Sequence, residues 1–246
     1  MVNISDASAP SSASRSREDP RDGTDRYARQ ERFTPIGEAG QARLAGCSVV
    51  ILGTGALGGV SANLLARAGI GNLRLVDRDY VELSNLQRQS LFDERDVADR
   101  MPKAAAAAAK LQKANSVVVI EPVVADVNPA NIESLIEGAD IVVDGLDNFE
   151  TRYLANDAAI KHGVPWVYGG VIGSYGMTMT IRPGVTPCLR CIFPHPPDPG
   201  SAPTCETAGV IGPAVEVIGA FQAAEVLKLA VGDHNALSKG LTSIDL

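Results

Sequence analysis

Short apolar runs rich in Val, Ile and Leu recur along the first two thirds of the chain, separated by segments of helical character. Such runs, bounded by turn residues, are typical of buried strands. We expect strands at 47–52, 72–77, 117–123, 141–144 and 164–168. We expect helices at 60–68, 102–113, 131–137 and 151–162. Strands that alternate with helices predict an α/β fold with a Rossmann-like, doubly wound, mainly parallel sheet.

The pattern changes after residue 168. Residues 173–182 alternate as an antiparallel strand does, and residues 187–203 are rich in proline, which predicts a crossover loop without helix or strand. A long helix is predicted at 211–231 and a last strand at 241–246. The parallel sheet should therefore continue into antiparallel strands.

The beginning of the chain has a different character. Residues 1–25 contain almost no large apolar side chains, so they cannot bury enough surface to offset the entropy of ordering, and we expect a disordered tail. A short helix is predicted at 26–33, ending before Pro35. The domain prediction is a single α/β domain at 26–246.

The composition narrows the classes of partner. The formal net charge is −7 at pH 7, which favours neither a nucleic acid nor an anionic membrane as a partner. The stretch 211–231 contains Glu216, Gln222, Glu225 and Lys228, which indicates a buried helix rather than a membrane span. No apolar signal segment stands at the N-terminus, so we expect a cytoplasmic protein.

A glycine-rich turn between the first strand and the following helix points to a nucleotide. Gly53, Gly55 and Gly58 form a G-x-G-x-x-G motif, and Asp77 ends the next strand. Glycines let the backbone approach a phosphate, the helix N-terminus favours negative charge, and the carboxylate suits a ribose hydroxyl. On its own this pattern favours NAD.

The segment that follows Asp77 is too polar for a strand or a buried helix. It leaves the carboxyl end of a parallel strand, where ligands bind in such sheets. Arg88 could reach a triphosphate with its planar guanidinium, and Lys103 could do so as a point charge. The alternative is a solvated loop with a cluster of salt bridges.

Seven motifs in the same order resemble those of the MoeB/ThiF family, bacterial relatives of the ubiquitin-activating enzymes. The most specific is the segment 77–89, which reads D-x-D-x-V-E-x-S-N-L-x-R-Q and is followed by Pro-Lys at 102–103. The others are the glycine turn and the motifs at 26–30, 144–148, 188–191 and 204–210. The resemblance runs from about residue 26 to the end of the chain.

The resemblance implies a role for each matching residue. Asp77 would hold the ATP ribose, and Asp147 would coordinate Mg2+ together with the phosphates. Arg29 would reach into the active site of a neighbouring subunit, which implies a homodimer. Phosphates would be held by Asn85, Arg88 and Lys103, and the nucleotide site would also include Gly53, Gly55, Gly58, Asp79 and Gln89.

The reaction implied is ATP-dependent adenylation. The substrate would be the C-terminal glycine carboxylate of a small ubiquitin-like sulfur-carrier protein that ends in diglycine. A sulfur donor protein would then convert the acyl-adenylate into a thiocarboxylate. Thiamine, molybdopterin and other thiolation pathways all remain open at this point.

The cysteines allow several interpretations. Cys188 and Cys191 form a C-x-x-C pair that fits half of a Zn2+ site with four cysteines. The family's second pair is absent before Leu246, so we expect the C-terminal end to be incomplete relative to the family, and a reducible disulfide is the alternative to zinc. Cys205 stands where family members often carry a reactive cysteine, whereas Cys47 should be a buried apolar residue.

Two other functions compete with adenylation. An NAD-dependent dehydrogenase would explain the glycine turn and Asp77, but it leaves Arg88, Lys103 and Asp147 without a role. A non-catalytic nucleotide-binding scaffold of the same fold would not need them either. Asp147 itself could instead be the N-cap of the helix that follows it.

Overall fold

A seven-stranded mixed sheet forms the centre of the protein. The structure, a computed structural model, describes residues 26–197 and 205–246, with the side chains of residues 205 and 206 excepted. In the described part the strands are β1 Ser48–Leu52, β2 Asn72–Val76, β3 Val119–Val123, β4 Ile141–Asp144, β5 Trp166–Ile172, β6 Tyr175–Ile181 and β7 Thr242–Asp245. The predicted disordered tail at 1–25 lies outside the described residues.

The strand order is β3-β2-β1-β4-β5-β6-β7. The pairs from β3 to β5 are parallel, whereas β5 pairs with β6, and β6 with β7, in antiparallel fashion. The predicted fold, a parallel doubly wound sheet that continues into antiparallel strands, is therefore confirmed. This order places the ends of β1, β2 and β4 side by side at one edge of the sheet.

Helices cover both faces of the sheet. They are α1 Ala28–Glu31, α2 Gly37–Gly46, α3 Ala56–Ala68, α4 Glu94–Ala98, α5 Lys103–Ala114, α6 Ile132–Ile136, α7 Phe149–His162, α8 Leu189–Ile192, α9 Cys205–Ala208 and α10 Gly212–Val231. A short 3-10 helix covers Leu83–Asn85. The sequence pattern did not indicate α2.

Three predictions about where helices and strands lie were wrong. Helix α3 begins at Ala56 rather than at residue 60, because packing against the sheet overrides the low helix propensity of its glycines. Strand β5 runs to Ile172 because β6 pairs with it along seven residues. The predicted loop at 187–203 contains α8, whose buried Leu189 donates its backbone N–H to Asn156 Oδ1 at 2.9 Å. Residues 198–203 of that prediction lie outside the described residues.

The core lies on both faces of the sheet. Strand β1 is buried on both sides: Val49 and Ile51 pack with α3, α5 and α10, whereas Val50 and Leu52 pack with α6 and α7. Period-two alternation of side chains produces this division, and each large apolar side chain that becomes buried contributes about 1.5–3 kcal/mol. The central strands are thereby held rigidly beneath the edge that carries the polar loops.

Helix α10 is a buried helix, as predicted. Glu225 is 3% exposed and its carboxylate accepts hydrogen bonds from Thr180 Oγ1 at 2.6 Å and from the backbone N–H of Ser238 at 3.0 Å. Lys228 Nζ lies 2.6 Å from the same carboxylate. Among the residues that the structure describes, no helix combines the length and the apolar character needed to cross a membrane.

Candidate active site at the carboxyl edge of the sheet

The glycine turn joins β1 to α3 in a tightly packed conformation that requires glycine at two positions. Gly53 has φ +85°, in the left-handed region, and a Cβ at Gly58 would collide with the carbonyl oxygen of Gly53. Gly55 is different, because a Cβ there would meet only Gln89 Nε2, at an ordinary contact distance of 3.5 Å. Packing therefore explains Gly53 and Gly58, whereas Gly55 leaves space free at the start of α3.

The first turn of α3 presents backbone N–H groups to this space. Its residues, Ala56 to Gly59, are uncharged, and its N-cap is Gly55, which has no side chain to satisfy them. A helix N-terminus of this kind attracts phosphate through its N–H groups and its dipole. The geometry fits a nucleotide phosphate.

Asp77, at the end of β2, holds the glycine turn in place. Its Oδ2 accepts hydrogen bonds from the backbone N–H of Thr54 at 2.7 Å and from Thr54 Oγ1 at 3.2 Å. Its Oδ1 accepts from the backbone N–H of Asp79 at 2.8 Å. The carboxylate is partly exposed and therefore remains accessible to a ribose hydroxyl.

Gln89 supplies a polar group that lacks a partner. Its side chain is 5% exposed, and its Oε1 has no hydrogen-bond partner within the described part of the chain. A buried polar atom without a partner is costly, and native proteins rarely keep one without a purpose. The Gln89 atom nearest to the free space at Gly55 is the amide nitrogen Nε2, which can donate to a phosphate oxygen, so the residues present fit a nucleotide.

Lys103 lies at the rim of the same edge. Residues 79–81 pair with residues 101–103 in antiparallel fashion, and Lys103 donates its backbone N–H to the carbonyl of Asp79 at 2.8 Å. Its ammonium lies 3.2 Å from Asp79 Oδ2, and only 9% of the lysine side chain is exposed. The structure thus brings together two residues that the sequence analysis assigned to the nucleotide site.

Asn85 and Arg88 are held by the 3-10 helix. Asn85 Oδ1 accepts from the backbone N–H of Glu82 at 3.1 Å, and Arg88 Nη1 donates to the carbonyl of Ser84 at 2.9 Å. The Asn85 side chain is therefore already engaged in the loop. Arg88 forms no ion pair with any residue that the structure describes, so its guanidinium charge is available to a phosphate.

Asp147 follows β4 and is exposed. The neighbouring Asn148 is the N-cap of α7, with Oδ1 accepting from the backbone N–H of Thr151 at 2.8 Å. The capping role considered for Asp147 thus belongs to Asn148, whose Nδ2 also donates to Asp147 Oδ1 at 3.1 Å. A solvent-facing carboxylate beside the glycine turn suits Mg2+, which takes one or two carboxylates plus substrate phosphates.

A buried ion pair beneath this loop was missed by the sequence analysis. Asp144 is fully buried, and its Oδ2 lies 3.1 Å from Nε of Arg152, which is 7% exposed. Burial raises the pKa of the Asp144 carboxyl, and the Arg152 guanidinium opposes that rise. An aspartate that ends an apolar strand was the available signal, since a buried carboxylate needs a cationic partner.

Arg29 lies far from the other candidate site residues of its own chain. Gln30, next to it on α1, donates to the carbonyl of Ala68 at 2.9 Å, and Tyr27 OH accepts from Asn115 Nδ2 at 2.7 Å. Ala68 is the last residue of α3, whose 13 residues extend about 20 Å from the glycine turn. Helix α1 is thus anchored at the opposite edge of the sheet.

The C-x-x-C pair supplies two metal ligands at most. The Sγ atoms of Cys188 and Cys191 lie 3.6 Å apart. Burial acts to raise the pKa of Cys188, but hydrogen bonds from Cys191 and Arg190 outweigh it and lower that pKa. In the part of the chain that the structure describes, no three His, Cys, Asp or Glu side chains come together to hold a metal ion. The described residues therefore do not make a complete zinc site.

The two remaining cysteines differ in their surroundings. Cys205 is the first residue of α9, but its side chain lies outside what the structure describes. Cys47 is 6% exposed, and burial raises its pKa to about 12, with Asp140 adding to the rise. Cys47 is a buried, unreactive thiol, as predicted.

Comparisons with known proteins identify the family of this chain. The model of the ThiF family matches residues 27–246. The sulfur carrier protein ThiS adenylyltransferase of Bacillus subtilis is 52% identical over 211 residues, which are 86% of this chain and 62% of that protein. The chain therefore spans less than two thirds of the length of that relative.

Two further comparisons concern a more distant relative and the fold. The SAMP-activating enzyme E1 of Haloferax volcanii is 42% identical over 90% of this chain and 81% of its own length. The crystal structure of E. coli MccB with ATP has a TM-score of 0.75 at 24% identity, covering 90% of this chain and 72% of MccB, and it supports the fold alone. On the family match and the identities to these relatives, the chain belongs to the ThiF family.

Proposed function

We propose that this chain adenylates the C-terminal carboxylate of a small ubiquitin-like sulfur-carrier protein with ATP. The observation that carries the proposal is the free space at Gly55, bordered by the side-chain amide nitrogen of Gln89. Three charged groups suited to phosphates and Mg2+ lie near the same edge: Arg88 and Asp147 on loops, and Lys103 at the start of α5. The names of the two relatives, an adenylyltransferase and a SAMP-activating enzyme, agree with it.

The reaction needs no nucleophile from the protein. An oxygen of the carrier's carboxylate attacks the α-phosphorus of ATP, the bond from that phosphorus to the bridging oxygen breaks, and pyrophosphate leaves with the electron pair. The products are a carrier acyl-adenylate and pyrophosphate, and no proton is transferred. The protein contributes by positioning the two anions and by neutralising the charge that develops on the phosphates.

Each residue would act at a defined part of the nucleotide. The backbone N–H groups at the N-terminus of α3 would bind a phosphate. Asp77, which already orients the turn through Thr54, would accept a hydrogen bond from a ribose hydroxyl. Arg88 and Lys103 would neutralise the β- and γ-phosphates. Asp147 would hold Mg2+, which supplies further positive charge to the phosphates when it is bound.

Arg29 would complete the site of a second subunit. Helix α1 is anchored at the opposite edge of the sheet through Gln30 and Tyr27, so Arg29 cannot reach the glycine turn of its own chain. A homodimer in which each α1 approaches the partner's nucleotide would resolve this separation. The site would then be composite, with one arginine supplied in trans.

The steps after adenylation involve other proteins. Displacement of AMP from the acyl-adenylate by a sulfur nucleophile of a donor protein would leave a thiocarboxylate on the carrier. We assign Cys205 no role in adenylation, and any covalent role for it would fall in this later stage. We assign zinc no step, since the described residues supply only Cys188 and Cys191 as ligands.

The competing functions make different predictions. Membership of the ThiF family leaves the dehydrogenase interpretation without support. A non-catalytic scaffold would bind ATP but would not exchange pyrophosphate. Measurement of pyrophosphate exchange therefore distinguishes a scaffold from an enzyme.

The test is ATP–pyrophosphate exchange with a panel of carrier proteins that end in diglycine. We expect exchange that depends on one carrier and disappears when its last glycine is deleted. Exchange independent of any carrier, or tight ATP binding without exchange across the panel, would contradict the proposed function. The carrier that supports exchange would also identify the thiolation pathway.

A further inference from the structure

Arg152 binds both the strand and the loop that lead to Asp147. Its Nε donates to Asp144 Oδ2 at 3.1 Å, and its Nη2 donates to the carbonyl of Leu146 at 2.6 Å and to the carbonyl of Gly169 at 3.1 Å. One guanidinium thus joins the end of β4, the loop after it and strand β5. A planar group with five donors can do this, whereas a lysine ammonium cannot match the geometry.

Both backbone polar groups of Leu146 form hydrogen bonds. Its N–H donates to Asp144 Oδ1 at 2.9 Å, and its carbonyl accepts from Arg152. On the other side of Asp147, Asn148 is fixed as the N-cap of α7. Asp147 is therefore an exposed residue between two immobilised neighbours, which fix the position of the backbone that carries its carboxylate.

The surroundings keep the guanidinium itself in one orientation. Its Cζ lies 5.6 Å from the ring centroid of Phe149 and 5.6 Å from that of Tyr168. Gln222 on α10 adds a further constraint, since its Nε2 donates to the carbonyl of Asp144 at 2.8 Å and to that of Val167 at 3.1 Å. Both the arginine and the strand end that it binds are therefore rigid.

Stability alone does not account for this arrangement. Apolar residues of similar volume commonly stabilise a protein as well as a buried ion pair does, because two charges must lose their hydration. What apolar residues cannot do is bind the carbonyl of Leu146 and thereby orient Asp147. The chemistry of the pair points to a role in positioning.

We propose that Arg152, paired with Asp144, is a positioning residue for the metal-binding step: it fixes the backbone from which Asp147 binds Mg2+ on the nucleotide phosphates. This inference rests on the proposed function for the nature of the site. It adds two residues that do not touch the nucleotide but determine where the metal-binding carboxylate lies.

The test compares Arg152→Lys with Arg74→Lys. Arg74 is a matched control because it also binds one carboxylate, that of Glu121, and two backbone carbonyls, those of Leu135 and Glu137. For each variant and the unmodified chain, ATP affinity would be measured by calorimetry in EDTA and in Mg2+, together with the thermal unfolding midpoint. The ratio of the two affinities reports metal binding without requiring turnover.

We expect Arg152→Lys to keep the ATP affinity measured in EDTA within about threefold and to lose most of the enhancement by Mg2+. A misplacement of about 1 Å in such a site lowers the rate by roughly 100-fold, so carrier-dependent exchange should fall by a comparable factor. Arg74→Lys should lower the unfolding midpoint without changing the Mg2+ enhancement. Arg152→Met should behave like Arg152→Lys if the carbonyl contacts are what matters.

Three results would overturn the inference. They are an unchanged Mg2+ enhancement in folded Arg152→Lys, an equal loss in Arg74→Lys, and an unmodified chain whose ATP affinity does not respond to Mg2+. Failure of the proposed function would look different, because the unmodified chain would then show the enhancement, and Arg152→Lys would lose it, without carrier-dependent exchange in either protein.

Discussion

Asn148 caps helix α7 with its side-chain oxygen and donates its amide to the adjacent Asp147 at 3.1 Å. The two residues are neighbours in sequence but have separate tasks. Asn148 satisfies the backbone N–H of Thr151, whereas the Asp147 carboxylate faces solvent at the edge that carries the glycine turn. Substitution of each should therefore give a different phenotype.

Asp147→Ala should abolish Mg2+-dependent adenylation while leaving the fold intact. Loss of one electrostatic contact to developing charge costs roughly 100-fold or more in rate, and no capping bond is removed. Asn148→Ala is the companion variant, and it should lose about 1 kcal/mol of unfolding free energy through its cap. Pyrophosphate exchange and chemical denaturation measure the two effects. Normal exchange by Asp147→Ala would rule out the metal-binding role.

Gly55→Ala and Gly58→Ala should separate ligand binding from packing. A methyl group at Gly55 meets only Gln89 and enters the space proposed for phosphate, so ATP affinity should fall by about tenfold, equivalent to about 1.4 kcal/mol. A methyl group at Gly58 collides with the carbonyl of Gly53 and should cost about 1–3 kcal/mol of unfolding free energy. Calorimetry and thermal unfolding are the readouts. If Gly55→Ala bound ATP as tightly as the unmodified chain, the phosphate would lie elsewhere.

Lys103→Ala should reduce kcat/KM for ATP by roughly 100- to 1000-fold, since an almost buried cation would be lost from the phosphate site. Lys110 on the same helix is the control, because it pairs with Asp93 and Asp96 instead. Lys110→Ala should keep its exchange rate and lose less than about 1 kcal/mol of unfolding free energy. Equal kinetic losses in both variants would show that helix α5, rather than the Lys103 charge, is what the reaction requires.

Arg29→Ala and Arg88→Ala should each be inactive but should recover activity when mixed. If sites are shared between subunits, half of the dimers in an equal mixture are mixed, and each mixed dimer has one intact site. The exchange rate should then reach about a quarter of the unmodified value. Subunit exchange must be verified with differently tagged chains. A mixture that exchanges subunits but stays inactive would contradict the composite site.

The thiols should differ in their pH dependence. Because the pKa of Cys188 is lowered, its thiolate should form at a lower pH than that of an ordinary cysteine, and alkylation by iodoacetamide should accelerate there. Burial raises the pKa of Cys47 to about 12, so Cys47 should stay unmodified until the protein unfolds. Peptide mass spectrometry after labelling across a pH series measures both rates. Comparable labelling of the two residues in the native protein would contradict the described environments.

The sequence by itself determined the order and type of most elements and the turn at Gly53. These features follow from local rules, namely the period of apolar residues, the conformational freedom of glycine and the polarity of loops after strands. The family motifs added the candidate residues of the site. The boundaries of α3 and β5 failed because packing and strand pairing between distant segments decide where an element ends.

Tertiary structure alone decided which residues meet. The docking of Tyr27 on Asn115 joins positions 88 residues apart and puts Arg29 at the edge away from the glycine turn. The burial of Gln89 against Gly55 placed its amide nitrogen beside the free space at the start of α3. The hydrogen bonds from Arg152 to the carbonyls of Leu146 and Gly169 require α7, the loop after β4 and strand β5 to lie together. No local sequence pattern predicts these long-range contacts, because they depend on how the helices pack across the sheet.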